Sequence, residues 1–169
     1  MKKVILFALV LGVCGVLHNS ALAQQEVPRY LVTYVKSQGN QPRSATAVTV
    51  INQSSEEICN VQVEWFRTVP VKDSVCILRD ELAPGEARQF CSRRLQGIVS
   101  CFPVATPANC PELAGNPFEG TAVVSSTNRF QCSLIAVDAR VYYTTPGDAE
   151  VSAISNPKIV FFGEGNLGD

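Results

Sequence analysis

The chain has 169 residues, 46% of them hydrophobic and 17% charged, with 14 Lys and Arg against 15 Asp and Glu. That is enough apolar chain for one domain with a real core. The near-even charge contains no dominant Lys/Arg run, so neither nucleic acid nor an anionic membrane is expected as a partner.

The first 23 residues, M-K-K-V-I-L-F-A-L-V-L-G-V-C-G-V-L-H-N-S-A-L-A, have the layout of an export signal. Lys2 and Lys3 open it, Val4 to Leu17 form an apolar run of 14 residues, and Ala21-Leu22-Ala23 offers the small residues a signal peptidase reads. As a helix that run covers roughly 21 Å, short of a hydrocarbon core of about 30 Å, so cleavage after Ala23 is expected rather than a retained anchor. Cys14 is not read as a lipidation site, because Val13 before it is bulky. Cleavage removes the only histidine, His18, and the only methionine, Met1, and lowers the basic count from 14 to 12. The chain thus divides into a cleaved signal (1–23), a single domain (24–162) and a loose tail (163–169).

Beyond the signal, apolar and polar residues alternate with period two, and no stretch holds a helical period over three turns. Tyr30–Val35 reads as a first strand, closed by the turn-rich S-Q-G-N-Q-P of 37–42. Thr46–Ile51 is a second, dense in β-branched residues that suit a pleated surface. After the polar Asn52–Glu57 link comes Cys59–Arg67, with Cys59, Val61, Val63 and Trp65 on one face. Residues 74–92 read as a hairpin, Ser74–Arg79 and Ala87–Ser92 joined by Ala83-Pro84-Gly85-Glu86. A proline-rich loop without periodicity spans 95–117. Gly120–Ser126 and Gln131–Tyr143 follow across Ser126-Thr127-Asn128-Arg129, the longer strand placing Ile135, Val137, Ala139, Val141 and Tyr143 on one face. A turn at Thr145-Pro146-Gly147-Asp148 leads to Glu150–Ile154, and Lys158–Phe162 is the last strand. Seven to nine short strands at near-regular spacing predict an all-β fold, an antiparallel sandwich ahead of a closed barrel. An immunoglobulin domain is not indicated: Trp65 shares a strand with Cys59, and Phe130 stands where a tyrosine corner needs Tyr.

Six cysteines remain after the signal: 59, 76, 91, 101, 110 and 132. A zinc site needs short ligand pairs, usually with histidine, and a catalytic thiol needs a base; these cysteines are widely spaced and histidine is gone. An even number in an exported chain points to disulfides instead. Cys101–Cys110 is the expected local staple of the proline-rich loop, with Cys59–Cys132 and Cys76–Cys91 the preferred remaining pairs.

The missing histidine also excludes a Ser-His-Asp triad, leaving paired carboxylates as the enzymatic option. Asp138 is the best single candidate, with Glu64 or Glu119 as a conceivable second, although Arg140 on the same face suggests a solvent-facing ion pair. Gly163-x-Gly165 is no nucleotide motif, because no helix follows. Asp148 and Glu150 lack the spacing of a calcium loop. Asn52-Gln53-Ser54 matches a glycosylation acceptor. Arg88, Arg93 and Arg94 read as a solvated strand end. The expectation is an exported, secreted or periplasmic, non-catalytic module without cofactor or metal, binding a protein or glycan or serving an envelope structure. Phe102, Pro103 and Asn109 on the loop, with Asp138, Arg140 and Tyr142 on the long strand, are its candidate contact residues. A two-carboxylate glycan hydrolase and an inhibitor of an exported protease, with the proline-bearing loop as decoy, are the alternatives.

Overall fold

The computed structural model describes residues 28–40, 43–67, 74–96, 101–115, 117–127, 132, 134–145, 151 and 153–162. The expected signal, the tail, Phe130 and the segment 146–150 with Asp148 and Glu150 lie outside the described residues.

Ten strands build two five-stranded sheets. They are β1 (Arg29–Ser37), β2 (Ser44–Asn52), β3 (Cys59–Phe66), β4 (Cys76–Leu82), β5 (Ala87–Cys91), β6 (Cys101–Val104), β7 (Phe118–Ser126), β8 (Ile135–Tyr143), β9 (Ala153–Ser155) and β10 (Ile159–Phe162). One layer has the order β10-β1-β7-β3-β4 and the other β6-β5-β2-β8-β9. The layers stack with β4 near β5 and β6, and with β1 and β10 near β8. Every pairing is antiparallel except β5 with β6. The expected antiparallel sandwich is therefore the fold, with one parallel pair added.

Alternation explains which side of each strand faces inward. Val61, Val63 and Trp65 of β3, Val48 and Val50 of β2, Leu78 and Leu82 of β4, and Ala122 and Val124 of β7 meet between the layers, each nearly or wholly removed from water. Trp65, Phe90 and Phe118 are the largest side chains filling that space. Tyr30 joins the layers: its hydroxyl donates to the Ile135 carbonyl at 2.8 Å, while its ring meets Phe161 edge-on at 5.3 Å.

A second, smaller apolar cluster lies outside the sandwich. Ala45 and Ala47 point away from the main core and are covered by Cys91, Leu95 and Cys101, with Val104, Tyr142 and Val151 packed around them. This explains why β2 is buried on both faces along its first half.

Two expectations need correction. Residues 74–92 are not a hairpin, since β4 and β5 belong to different layers. The segment Ala83-Pro84-Gly85-Glu86 is a corner between layers, with Gly85 at φ 73°, a conformation that favours glycine. Asn52 ties this corner to the end of β2. Its side-chain amide donates to the carbonyls of Glu57, Leu82 and Ala83 at 2.7–3.2 Å, and its backbone bonds both Gly85 and Glu86. Fully buried and engaged in this way, Asn52 is a structural clamp and not an accessible glycosylation acceptor.

The proline-rich loop, too, carries structure. Residues 101–104 form β6, and Pro111–Gly115 make a single π-type turn that buries Leu113 in the core. Pairing of β6 beside β5 sets Phe102 opposite Gln89 and Val104 opposite Cys91, which brings Cys101 to Cys91. Cys110 is carried on to the start of β4, where it bonds Cys76. The expected Cys101–Cys110 and Cys76–Cys91 pairs are thus replaced by Cys91–Cys101 and Cys76–Cys110. Cys59 joins Cys132 as expected. The layer assignment is the physical reason for both exchanges: a strand pairs in its own sheet, and its sulfur follows.

Candidate functional site

Strand register places most of the sequence-derived contact residues on one surface. Across the β6-β5-β2-β8 sheet, Phe102 lies opposite Gln89, Gln89 opposite Thr49, and Thr49 opposite Asp138. These four residues form one row on the side facing away from the core, because residues directly opposite share a face. Arg140 and Tyr142 follow on β8 at the same period, beside Ala47 and Ala45. The band ends in two exposed apolar side chains, Phe102 at 62% exposure and Ile154 at 53%.

The individual residues divide into surface and scaffold. Asp138 and Arg140 form an ion pair at 3.2 Å, both about half exposed, as two like-facing residues on a strand do. Asn109 is exposed, yet its side chain is spent on the loop: Oδ1 accepts from the Thr106 amide at 2.6 Å and from its hydroxyl at 3.0 Å, and Nδ2 donates to the Val104 carbonyl. Pro103 sits within edge strand β6 and, two residues before the Ala105 amide that bonds the Cys91 carbonyl, faces β5, so the backbones of Phe102 and Val104 form the outer edge. Tyr142 is half-buried against the outer cluster.

Asp138 is kept apart from both carboxylates named as its partner. Asp138 is on the outer face of one sheet, whereas Glu64 alternates with inward Val63 and Trp65 and so points outward from the other. Glu64 accepts from Gln62 at 2.6 Å, within a polar lattice that also includes Arg79 and Ser125. Glu119 bonds Lys36 across β7 and β1 at 3.0 Å, and that carboxylate raises the lysine pKa.

Two cavities flank β6. One, of 590 Å³, lies among Thr49, Arg88, Gln89, Arg94 and Phe102. The other, of 450 Å³, lies among Arg93, Arg94, Val104, Thr106 and Ala114. Arg94 lines both, and every charged residue given to either wall by the described residues is an arginine. Arg88 is already compensated, by Asp80 at 3.2 Å and Glu86 at 2.6 Å. Arg93 instead donates to the Ala114 carbonyl and, at 3.4 Å, to the Ser37 hydroxyl. Burial, and then the neighbouring Arg43, lower its pKa. Sequence predicts these arginines as a solvated strand end, and Arg94 is exposed; the signal that sets Arg93 and Arg94 apart is their place between the bonded Cys91 and Cys101. No protein family matches the chain, and no curated protein or solved structure is significantly similar to it.

Proposed function

We propose that the chain is an exported, non-catalytic binding module that captures its ligand on the outer face of the β6-β5-β2-β8 sheet, around Phe102. The observation that carries this reading is the row Phe102–Gln89–Thr49–Asp138 beside two open cavities on a cross-linked frame. An aromatic ring left 62% exposed on a rigid strand provides apolar contact area at little entropic cost on binding. Three disulfides are typical of chains that mature in an oxidising compartment, consistent with secretion or the periplasm after loss of residues 1–23. Among the described residues no helix is long and apolar enough to cross a membrane.

The alternatives have less to stand on. The hydrolase reading has Asp138 on a different layer from both Glu64 and Glu119, and two of the three carboxylates in ion pairs. The inhibitor reading needs an extended decoy strand, whereas the loop tip is a tight turn with the Cys110 amide bonded to the Thr106 carbonyl at 2.8 Å. The test is retention on a panel of immobilised neutral and acidic polysaccharides and of secreted proteases. Phe102→Ala should abolish retention and leave the circular dichroism spectrum unchanged, because the ring is exposed. Retention unaffected by that substitution removes this face from consideration. Release of reducing ends, lost in Asp138→Asn, favours the hydrolase, and inhibition of any protease favours the decoy.

A further inference from the structure

The arginine-lined hollows say which ligand class the face suits, an inference that rests on the binding reading above. Arg93 is held in place from several sides. It lies over Gly39, where any β-carbon would collide with the guanidinium, and it reaches both Ser37 and the Ala114 carbonyl. Among the described residues no carboxylate pairs with Arg93 or Arg94, and the charge that acts on Arg93 is another cation, Arg43. Positive charge is therefore concentrated beside a hollow without its own counter-ion, an arrangement that attracts anions and is relieved by them. The adjoining hollow, reached across Arg94, adds the Phe102 ring and Thr49. Volumes of 450 and 590 Å³ each fall in the range of about 300–1,000 Å³ in which proteins bind small ligands.

From this geometry we infer that the two hollows form one site for an anionic glycan, whose carboxylate or sulfate groups pair with Arg94 and Arg93 while a sugar face lies on Phe102. An acidic peptide is the competing occupant with the same charge. It is disfavoured because the outer edge of β6 is already engaged, the Val104 carbonyl accepting from Asn109 Nδ2 at 3.3 Å, so a peptide strand docking there meets an occupied ladder position. A glycan makes no such demand on the backbone.

The test uses the mature protein and four probes in titration calorimetry at low salt: polygalacturonate, dextran sulfate, neutral dextran and polyglutamate. Binding of polygalacturonate or dextran sulfate, with dextran and polyglutamate much weaker, is expected, and the stronger of the two anionic glycans identifies the group recognised. Arg94→Gln should weaken it about tenfold or more, the loss of one charge-assisted bond. Arg94 is exposed, so this variant should melt like the parent; Arg93 is left intact because it also supports the fold. Raising salt to roughly 0.15 M should weaken the parent more than the variant. Dextran binding that needs Phe102 but not Arg94 overturns the anionic assignment while leaving the binding face standing. Polyglutamate binding as tight as either glycan overturns the glycan assignment. Failure of both anionic glycans to bind overturns the inference outright.

Discussion

At the scale of single residues, buried polar groups decide more than their number suggests. Asn52 is wholly buried, and its amide serves three carbonyls where the chain turns from one layer to the other. Removing a buried partner leaves the other side of each bond unsatisfied, which costs more than the bond itself contributed. Asn52→Ala should therefore lower stability by about 2–4 kcal/mol, read from urea unfolding. A loss below about 0.5 kcal/mol, the usual size of a surface substitution, would show that water replaces the clamp. Tyr30 offers a pH test. Burial raises its phenol pKa above the ordinary 10.0, so the folded state favours the protonated form. Its contribution is complete below 10.0 and is lost as pH rises from there through the raised value. Tyr30→Phe should flatten the alkaline decline in stability, at the cost of about 1 kcal/mol at neutral pH for the bond to Ile135. An unchanged alkaline limb would show that another group governs it.

At the scale of elements, the strands were far more legible than their partners. Period-two runs at Tyr30–Val35, Thr46–Ile51 and Cys59–Arg67 correspond to β1, β2 and β3 because burial on one face imposes that pattern. Strand β6 carried no such pattern: it has four residues, one of them Pro103, and it is recruited to β5 by long-range pairing. The hairpin reading of 74–92 failed for a related reason. A Pro-Gly turn is chemically the same whether it returns a strand to its neighbour or passes it to the opposite layer, and the deciding contact comes from Asn52, some thirty positions earlier. The face proposed for binding was partly legible, since Phe102, Asp138, Arg140 and Tyr142 lie on that outer surface, while the hollows beside Arg93 and Arg94 needed a fold to place them. Cross-link placement follows from the same topology. Cys91–Cys101 closes a separation of 10 residues and Cys59–Cys132 one of 73. Chain entropy assigns them about 3 and 4 kcal/mol respectively. Replacing Cys91 and Cys101 together by alanine should thus lower the melting temperature less than replacing Cys59 and Cys132. The reverse order would mean that the outer cluster over Ala45 and Ala47 depends on its sulfurs more than on loop closure.

At the scale of the whole molecule, the chain crosses repeatedly between layers. β1 belongs to one sheet, β2 to the other, β3 and β4 to the first, and β5 and β6 to the second. Neither sheet can be assembled from a contiguous stretch, so folding waits on distant pairings, which slows it relative to a helical protein of equal size. Three bonds account for all six cysteines beyond the expected signal. Alkylation of the denatured, unreduced mature chain should add no label, and reduction beforehand should expose all six thiols. Label taken up without reduction would break the cross-linked frame on which the rigid face depends.

Arg29 stands opposite Phe162 where β1 and β10 meet, at the edge of the layer that does not contain β6. The first and last described strands thus end side by side, and a fusion partner or solid support joined at either position hangs from one place in that layer. The length of β1 separates that place from Ser37, where Arg93 makes its contact. Anchorage by a terminus therefore presents the hollows outward to solution, and a dense array of such molecules would offer them as an unobstructed carpet.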